Sequence, residues 1–192
     1  MDQQEAEQER IIELLIMTGR TGIEPLIEHL KLRGFFTAPA STKWHGCYKG
    51  GLAHHSLGVY NLVYRMNATY NLMCPEETMI IAALLHDVCK IGAYISPTGN
   101  PPYSFNRLQP KGHGVLSVTR LKEFISLTDL EEMMIKYHMG IYGSTAFEPD
   151  KGEYEIRGGG LANAWFHNPI VKVMYFCDEL ATLQEKAEEQ ND

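Results

Sequence analysis

The stretch IIAALLHDVCKIG, residues 80–92, is apolar on nearly every side, which marks a helix buried all round. His86 and Asp87 nevertheless stand inside it. A carboxylate in such surroundings must be paired, protonated or bound to metal, because an isolated buried charge costs several kcal/mol. Lys90 follows Asp87 by three positions and His86 by four, so it faces the same region. Taken alone, Lys90 reads as a cation at a helix C-terminus.

The pattern recurs elsewhere in the chain. In PIVKVMYFCDELAT (169–182), Asp178 shares a helix face with Val171, Met174 and Ala181. In GGLAHHSLGVY (50–60), His55 lines up with Leu52, Val59, Leu62 and Met66, whereas His54 lines up with Gly58, Asn61 and Arg65. His55 is therefore expected to point into the core and His54 away from it. A lone inward histidine is commonly a hydrogen-bonded core residue, but two such histidines with two such aspartates call for a shared explanation. His138 follows Met134 and Ile135 on an inner helix face. His113 sits between Gly112 and Gly114 at a helix start, where small neighbours permit close backbone approach. His45 lies in the loop that leads into GGLAHHS, and its role is left open. His29 reads as a surface residue.

Helical periodicity dominates the 192 residues, with helices expected at about 5–18, 22–33, 52–73, 76–90, 114–126, 129–139, 159–166 and 169–188. Pro75 with Glu76 and Glu77 marks one start. Thr128 with Glu131 makes a capping box at another, and Gly92 is a natural stop. Two irregular inserts, 92–112 and 140–160, interrupt the helices, and GEYEI in the second fits a short hairpin strand. Inserts of this length in a compact domain are usually functional or disordered. The expectation is one all-α domain spanning 1–192, with a core at about 35–183 and two working loops.

Composition excludes several classes. The net charge is −7, with −4 from residues 1–13 and −3 from residues 185–192, so the rest of the chain balances. No clustered basic footprint for duplex nucleic acid is present. No apolar run approaches a membrane span. The polar, acidic N-terminus resembles neither a signal nor a transit peptide. Cys47, Cys74, Cys89 and Cys177 form no CxxC pair and read as thiols in a reducing cytoplasm.

The set His55, His86–Asp87 and Asp178 resembles the metal-dependent HD phosphohydrolase superfamily. His113 and His138 extend it to H…HD…H…H…D, similar to the two-metal branch. The blocks GGLAHHS, LLHDVCKIG, GHG and CDELAT carry the resemblance, which runs from about residue 35 to 183. Three positions depart from it. His54 stands where similar sequences often have Glu, Val115 where an acid is expected, and Cys177 where Ala is common.

The resemblance implies that His55, His86, Asp87 and Asp178 hold one divalent transition-metal ion. Asp87 would bridge to a second ion held by His113 and His138, and a hydroxide shared by the ions would attack phosphorus. Four imidazoles and two carboxylates suit Fe, Mn, Co, Ni or Zn and do not choose among them; Fe or Mn is favoured, with Ni, Co, Zn or Mg as alternatives. Asp87 and Lys90 become the candidate catalytic residues, Lys90 as a contact to phosphate or leaving group. Arg107, Lys111 and Arg157, in or beside the inserts, are candidate anion contacts, and Tyr94, Tyr103 and Phe105 are candidates for stacking on a base.

The leading expectation is a phosphodiesterase or phosphatase acting on a small nucleotide-like molecule. The alternatives are a di-iron oxygenase of the inositol-oxygenase type and a metal-bound regulatory module with weak turnover. A processive ribonuclease fits less well, because similar enzymes carry a separate nucleic-acid-binding domain.

Overall fold

In the computed structural model, residues 2–110, 112–140 and 159–189 are described, and they form eight α-helices and one two-stranded ribbon. Local chemistry sets many of the ends. Asp2 opens α1 (Gln3–Met17) through a capping box with Glu5. Helix α2 (Ile23–Arg33) runs between Gly22 and Gly34, both left-handed, and α3 (Gly51–Tyr70) begins after the left-handed Gly50. Pro75 precedes α4 (Glu76–Leu85) with glutamates in its first turn. Helix α5 (His113–Leu121) follows Gly112, whose φ of 103° suits glycine. Thr128 caps α6 (Asp129–Tyr137) in the expected box with Glu131. Helices α7 (Gly159–His167) and α8 (Pro169–Glu189) complete the set.

Helix α3 is the central element, packing on α4, α8 and α1, while α6 bridges α4, α5 and α8. Helix α4 earns its uniform hydropathy, since every residue from Thr78 to Leu85 is buried. At roughly 1.5–3 kcal/mol per buried large aliphatic side chain, this helix is a main source of cohesion.

The strand pair lies in the first insert, for which no strand was expected. Strands β1 (Tyr94–Ile95) and β2 (Ser104–Phe105) pair antiparallel, with Tyr94 opposite Phe105. The turn-rich segment between them lets the chain double back, a signal that alternation alone does not carry in strands of two residues. GEYEI lies outside the described residues.

A second buried carboxylate ties the N-terminal region to α6. Glu131 is fully buried and takes both Arg20 guanidinium nitrogens, Nη1 to Oε2 at 2.7 Å and Nη2 to Oε1 at 2.9 Å. Arg20 also pairs with Glu77 and donates to the Ser126 carbonyl at 3.0 Å. The bidentate fork suits a planar carboxylate. Replacing Arg20 with Ala strands that carboxylate and should cost about 3 kcal/mol. The check is a urea unfolding midpoint, and a change below about 0.5 kcal/mol would place this pair with ordinary surface bridges.

Candidate metal centre

The HD pair sits at a break in the backbone. The expected helix over 76–90 ends at Leu85, His86 is its C-cap, Asp87 has φ −107° and ψ 16°, and a 3₁₀ turn covers Val88–Lys90. In a continuous α-helix, successive side chains diverge by about 100°. The break lets His86 and Asp87 face one point. Carbonyls released by the break find partners. His86 Nδ1 donates to Ala83 O at 2.8 Å, and Arg120 Nη1 donates to the Val88, Cys89 and Ile91 carbonyls at 3.0, 3.1 and 3.3 Å. Ser117 Oγ accepts from the Cys89 N–H at 3.1 Å.

His138 repeats the device. It caps α6, and its Nδ1 donates to Ile135 O at 2.6 Å. In both histidines the bond fixes the ring orientation and points Nε2 to the interior. His55 is also buried. Its Nδ1 donates to Glu185 Oε1 at 2.8 Å and its Nε2 lies 2.9 Å from Asp178 Oδ1. His54 turns to the other side, with Nδ1 2.8 Å from Glu7. His113 Nδ1 lies 3.0 Å from Cys89 Sγ. A Cβ at Gly114 would sit 2.6 Å from the Lys136 carbonyl oxygen, so this glycine permits α5 to approach the α6 backbone. The close approach expected around His113 is thus made to a helix.

Asp87 joins two groups of imidazoles. Its Oδ2 lies 3.3 Å from His86 Nε2 and 4.0 Å from His55 Nε2, with Lys90 Nζ at 2.6 Å. Its Oδ1 lies 2.7 Å from His113 Nε2 and 3.5 Å from His138 Nε2. Asp178 Oδ1 stands 3.5 Å from His86 Nε2, on the His55 side. Asp87 Oδ1, His86 Nε2 and His138 Nε2 are buried and make no aligned hydrogen bond. Buried nitrogen and carboxylate oxygen atoms gathered in this way suit a cation, and His55–His86–Asp178 and His86–Asp87–His138 are close enough to hold one.

The charges are strongly coupled. Burial disfavours the charged forms throughout, yet the neighbours outweigh it at most positions. Asp87 is held well below the usual carboxylate range by Lys90, His86 and His113, and Asp178 by His55 and His86. His86 is raised to about 10, burial being overcome by Asp87 and Asp178. His113 is raised to about 10, burial being overcome by Asp87. For His138 burial prevails and lowers the pKa.

Two cavities flank the cluster. One, of about 470 Å³, is bordered by His45, Lys90, Tyr94, His113 and Asp178. The other, of about 220 Å³, lies between the ribbon and α5 and shares Lys90, Tyr94 and His113. All six expected ligands converge here, and Lys90 stands beside them. Arg107 does not: it is exposed beyond β2 and outside the walls of both cavities. Lys111 and Arg157 lie outside the described residues. Two contributors were missed or left undecided in the sequence reading. Glu185 lies one turn beyond Ala181 on the inner face of α8, so extending the 178–181 spacing would have found it. His45 packs its ring 4.8 Å from that of His55, and both its nitrogens are buried without a hydrogen-bond partner. Burial, with His55 and Lys90 nearby, lowers its pKa to about 4.

Comparison with known proteins agrees with this geometry. The HD domain family model matches residues 52–162, and the chain belongs to that family, the superfamily of metal-dependent phosphohydrolases that its motifs resemble. A 62-residue stretch is 37% identical to a dihydroneopterin 2′,3′-cyclic phosphate phosphodiesterase of Methanocaldococcus jannaschii, covering 30% of this chain and 25% of that protein. The match thus spans about a quarter of the relative's length. No solved structure matches.

Two predictions follow from the geometry. His55→Ala should lose metal and lower the melting temperature, whereas His54→Ala should retain metal; elemental analysis of both variants checks this, and the reverse outcome would refute the helical phase. Metal uptake by the ion-free protein at pH 7 should release protons, because His86 and His113, both raised to about 10, are charged there and must become neutral to coordinate. Apparent affinity should therefore fall as pH falls. Calorimetry in buffers of different ionisation enthalpy measures the release, and uptake without it would contradict the assignment.

Proposed function

We propose that the protein is a metal-dependent phosphodiesterase for a small, nucleotide-like phosphate ester, in which Asp87 would contribute to two divalent-ion sites. The observation that carries this reading is the division of the Asp87 oxygens between two imidazole groups, Oδ2 toward His86 and His55 and Oδ1 toward His113 and His138. In this reading His55, His86, Asp87 and Asp178 would hold one ion, and Asp87, His113 and His138 would hold the other. The donors suit Fe, Mn and other borderline divalent ions alike, and no thiolate is required. Bound ions there would supply Lewis-acid charge and a water of lowered pKa.

The protein groups have distinct tasks. The Nδ1 bonds of His55, His86 and His138 hold each imidazole in the orientation needed at Nε2. Lys90 borders both cavities and keeps its proton, since Asp87 overcomes burial and raises its pKa. Its ammonium is available for a phosphate oxygen or the departing oxygen, where developing negative charge is stabilised. The phosphodiesterase relative supports an ester of a heterocyclic compound as substrate.

The experiment is anaerobic reconstitution with Mn, followed by assay against phosphomonoesters, phosphodiesters and 2′,3′-cyclic nucleotides. Turnover without oxygen is expected, and Lys90→Ala should keep its metal while kcat falls about 10²-fold. Activity that depends strictly on oxygen, with every phosphate ester left intact, would overturn the proposal in favour of an oxygenase.

A further inference from the structure

The smaller cavity differs in character from the cluster it adjoins. Its walls are mainly carbon, contributed by Tyr94, Phe105, Pro110 and Leu116, with Gln109 as a polar member. Lys90, Tyr94 and His113 border this cavity and also the larger one, which the charged Asp178, Glu179 and Lys186 line as well. Those three side chains stand between the cavity that holds the charged groups and the more apolar one.

The apolar wall is built from several attachments. Tyr94 and Phe105 are directly opposed across the ribbon, with ring centroids 6.3 Å apart and near-perpendicular planes. The ribbon is tied to the HD turn by the Asn106 N–H on Ala93 O at 2.8 Å and Asn106 Nδ2 on Gly92 O at 3.0 Å. Gln109 Nε2 donates to Cys89 O at 2.6 Å. Phe105 is left 51% exposed, although an aromatic ring on a two-residue strand gains little for folding by facing solvent. Tyr103, also a candidate for stacking, is placed elsewhere: its hydroxyl donates to Gly99 O and it lines a different cavity.

We propose that the cavity between the ribbon and α5 receives the planar heterocycle of the substrate, with Phe105 and Tyr94 as its aromatic wall, while the phosphate lies across Lys90 at the metal centre. The inference rests on the phosphohydrolase reading for the phosphate half alone. A volume of about 220 Å³ suits a base-sized ring system better than a large ligand. Apolar walls with few polar groups bind such a ring by stacking and desolvation. A ring held there gives the ester an anchor separate from the reacting atoms, so binding of the heterocycle orients the phosphate.

The test uses the full chain reconstituted with Mn and two variants, Leu116→Trp, which fills the cavity, and Phe105→Ala, which removes the exposed ring. Binding of phosphate-free adenosine, guanosine, cytidine and neopterin is measured by equilibrium dialysis. In parallel, kcat/KM is compared for 2′,3′-cyclic AMP and the ringless glycerol 1,2-cyclic phosphate. At least one ring compound should bind wild type, and both variants should weaken it by about tenfold or more. The ratio of ringed to ringless kcat/KM should fall by a similar factor. Thermal melts check folding, and Phe105→Ala decides the matter if the bulkier variant fails to fold. No binding by any ring compound, or variants that alter neither quantity, overturns the inference even where both esters are cleaved. Variant-sensitive binding with neither ester cleaved leaves the cavity assignment standing and rejects the phosphohydrolase reading instead.

Discussion

A carboxylate that is 1% exposed at the end of an apolar helix cannot stand without compensation, and Asp87 is that carboxylate. The elements around it are arranged as its partners. Helix α3 brings His55, α5 brings His113, the end of α6 brings His138 and the 3₁₀ turn brings Lys90. Asp178 on α8 adds a second negative charge on the His55 side. The result is a polar centre enclosed by hydrophobic contacts, with its charges distributed on several helices.

Such a centre is a weak stabiliser in its own right. Burying paired charges returns little net free energy, whereas removing one partner is costly. The fold therefore invests its cohesion elsewhere, in α4 and the aliphatic contacts of α3, and spends local detail on orientation. Arg120 gathers the carbonyls of the HD turn, Ser117 takes an N–H, Glu185 steers His55, and Gly114 removes a side chain where two helices meet. None of these groups need touch a substrate for the centre to depend on them.

The all-helical class, most helix positions and the six converging residues were legible because each follows from periodicity within one element or from the family motifs. The phase of α3 separates His55 from His54 without reference to any other part of the chain. What was not legible depends on contacts between elements or on broken regularity. The stop at Leu85 contradicts a sequence that reads as helical through Lys90, since the turn is fixed by Arg120 from another helix. The ribbon in the first insert was not expected, because two-residue strands carry almost no alternation. Arg107 was named because it lies in an insert, and whether such a residue lines a cavity depends on how the insert folds back, which its position in the sequence does not carry. Glu185 is different: its helical spacing was readable, but the reading ended one turn early.

The contact between His55 and Asp178 joins positions 123 residues apart. His113 and His138 reach the same point from shorter loops. A centre assembled from such distant segments belongs to the late, high-contact-order part of folding, after the entropy of closing the long loops has been met. While α8 is still undocked, α3 and the HD turn can pack their aliphatic faces but His55 lacks both Asp178 and Glu185. The centre is therefore complete only when α8 has closed onto α3. Loading of the centre would report closure of the whole bundle and not of any single helix.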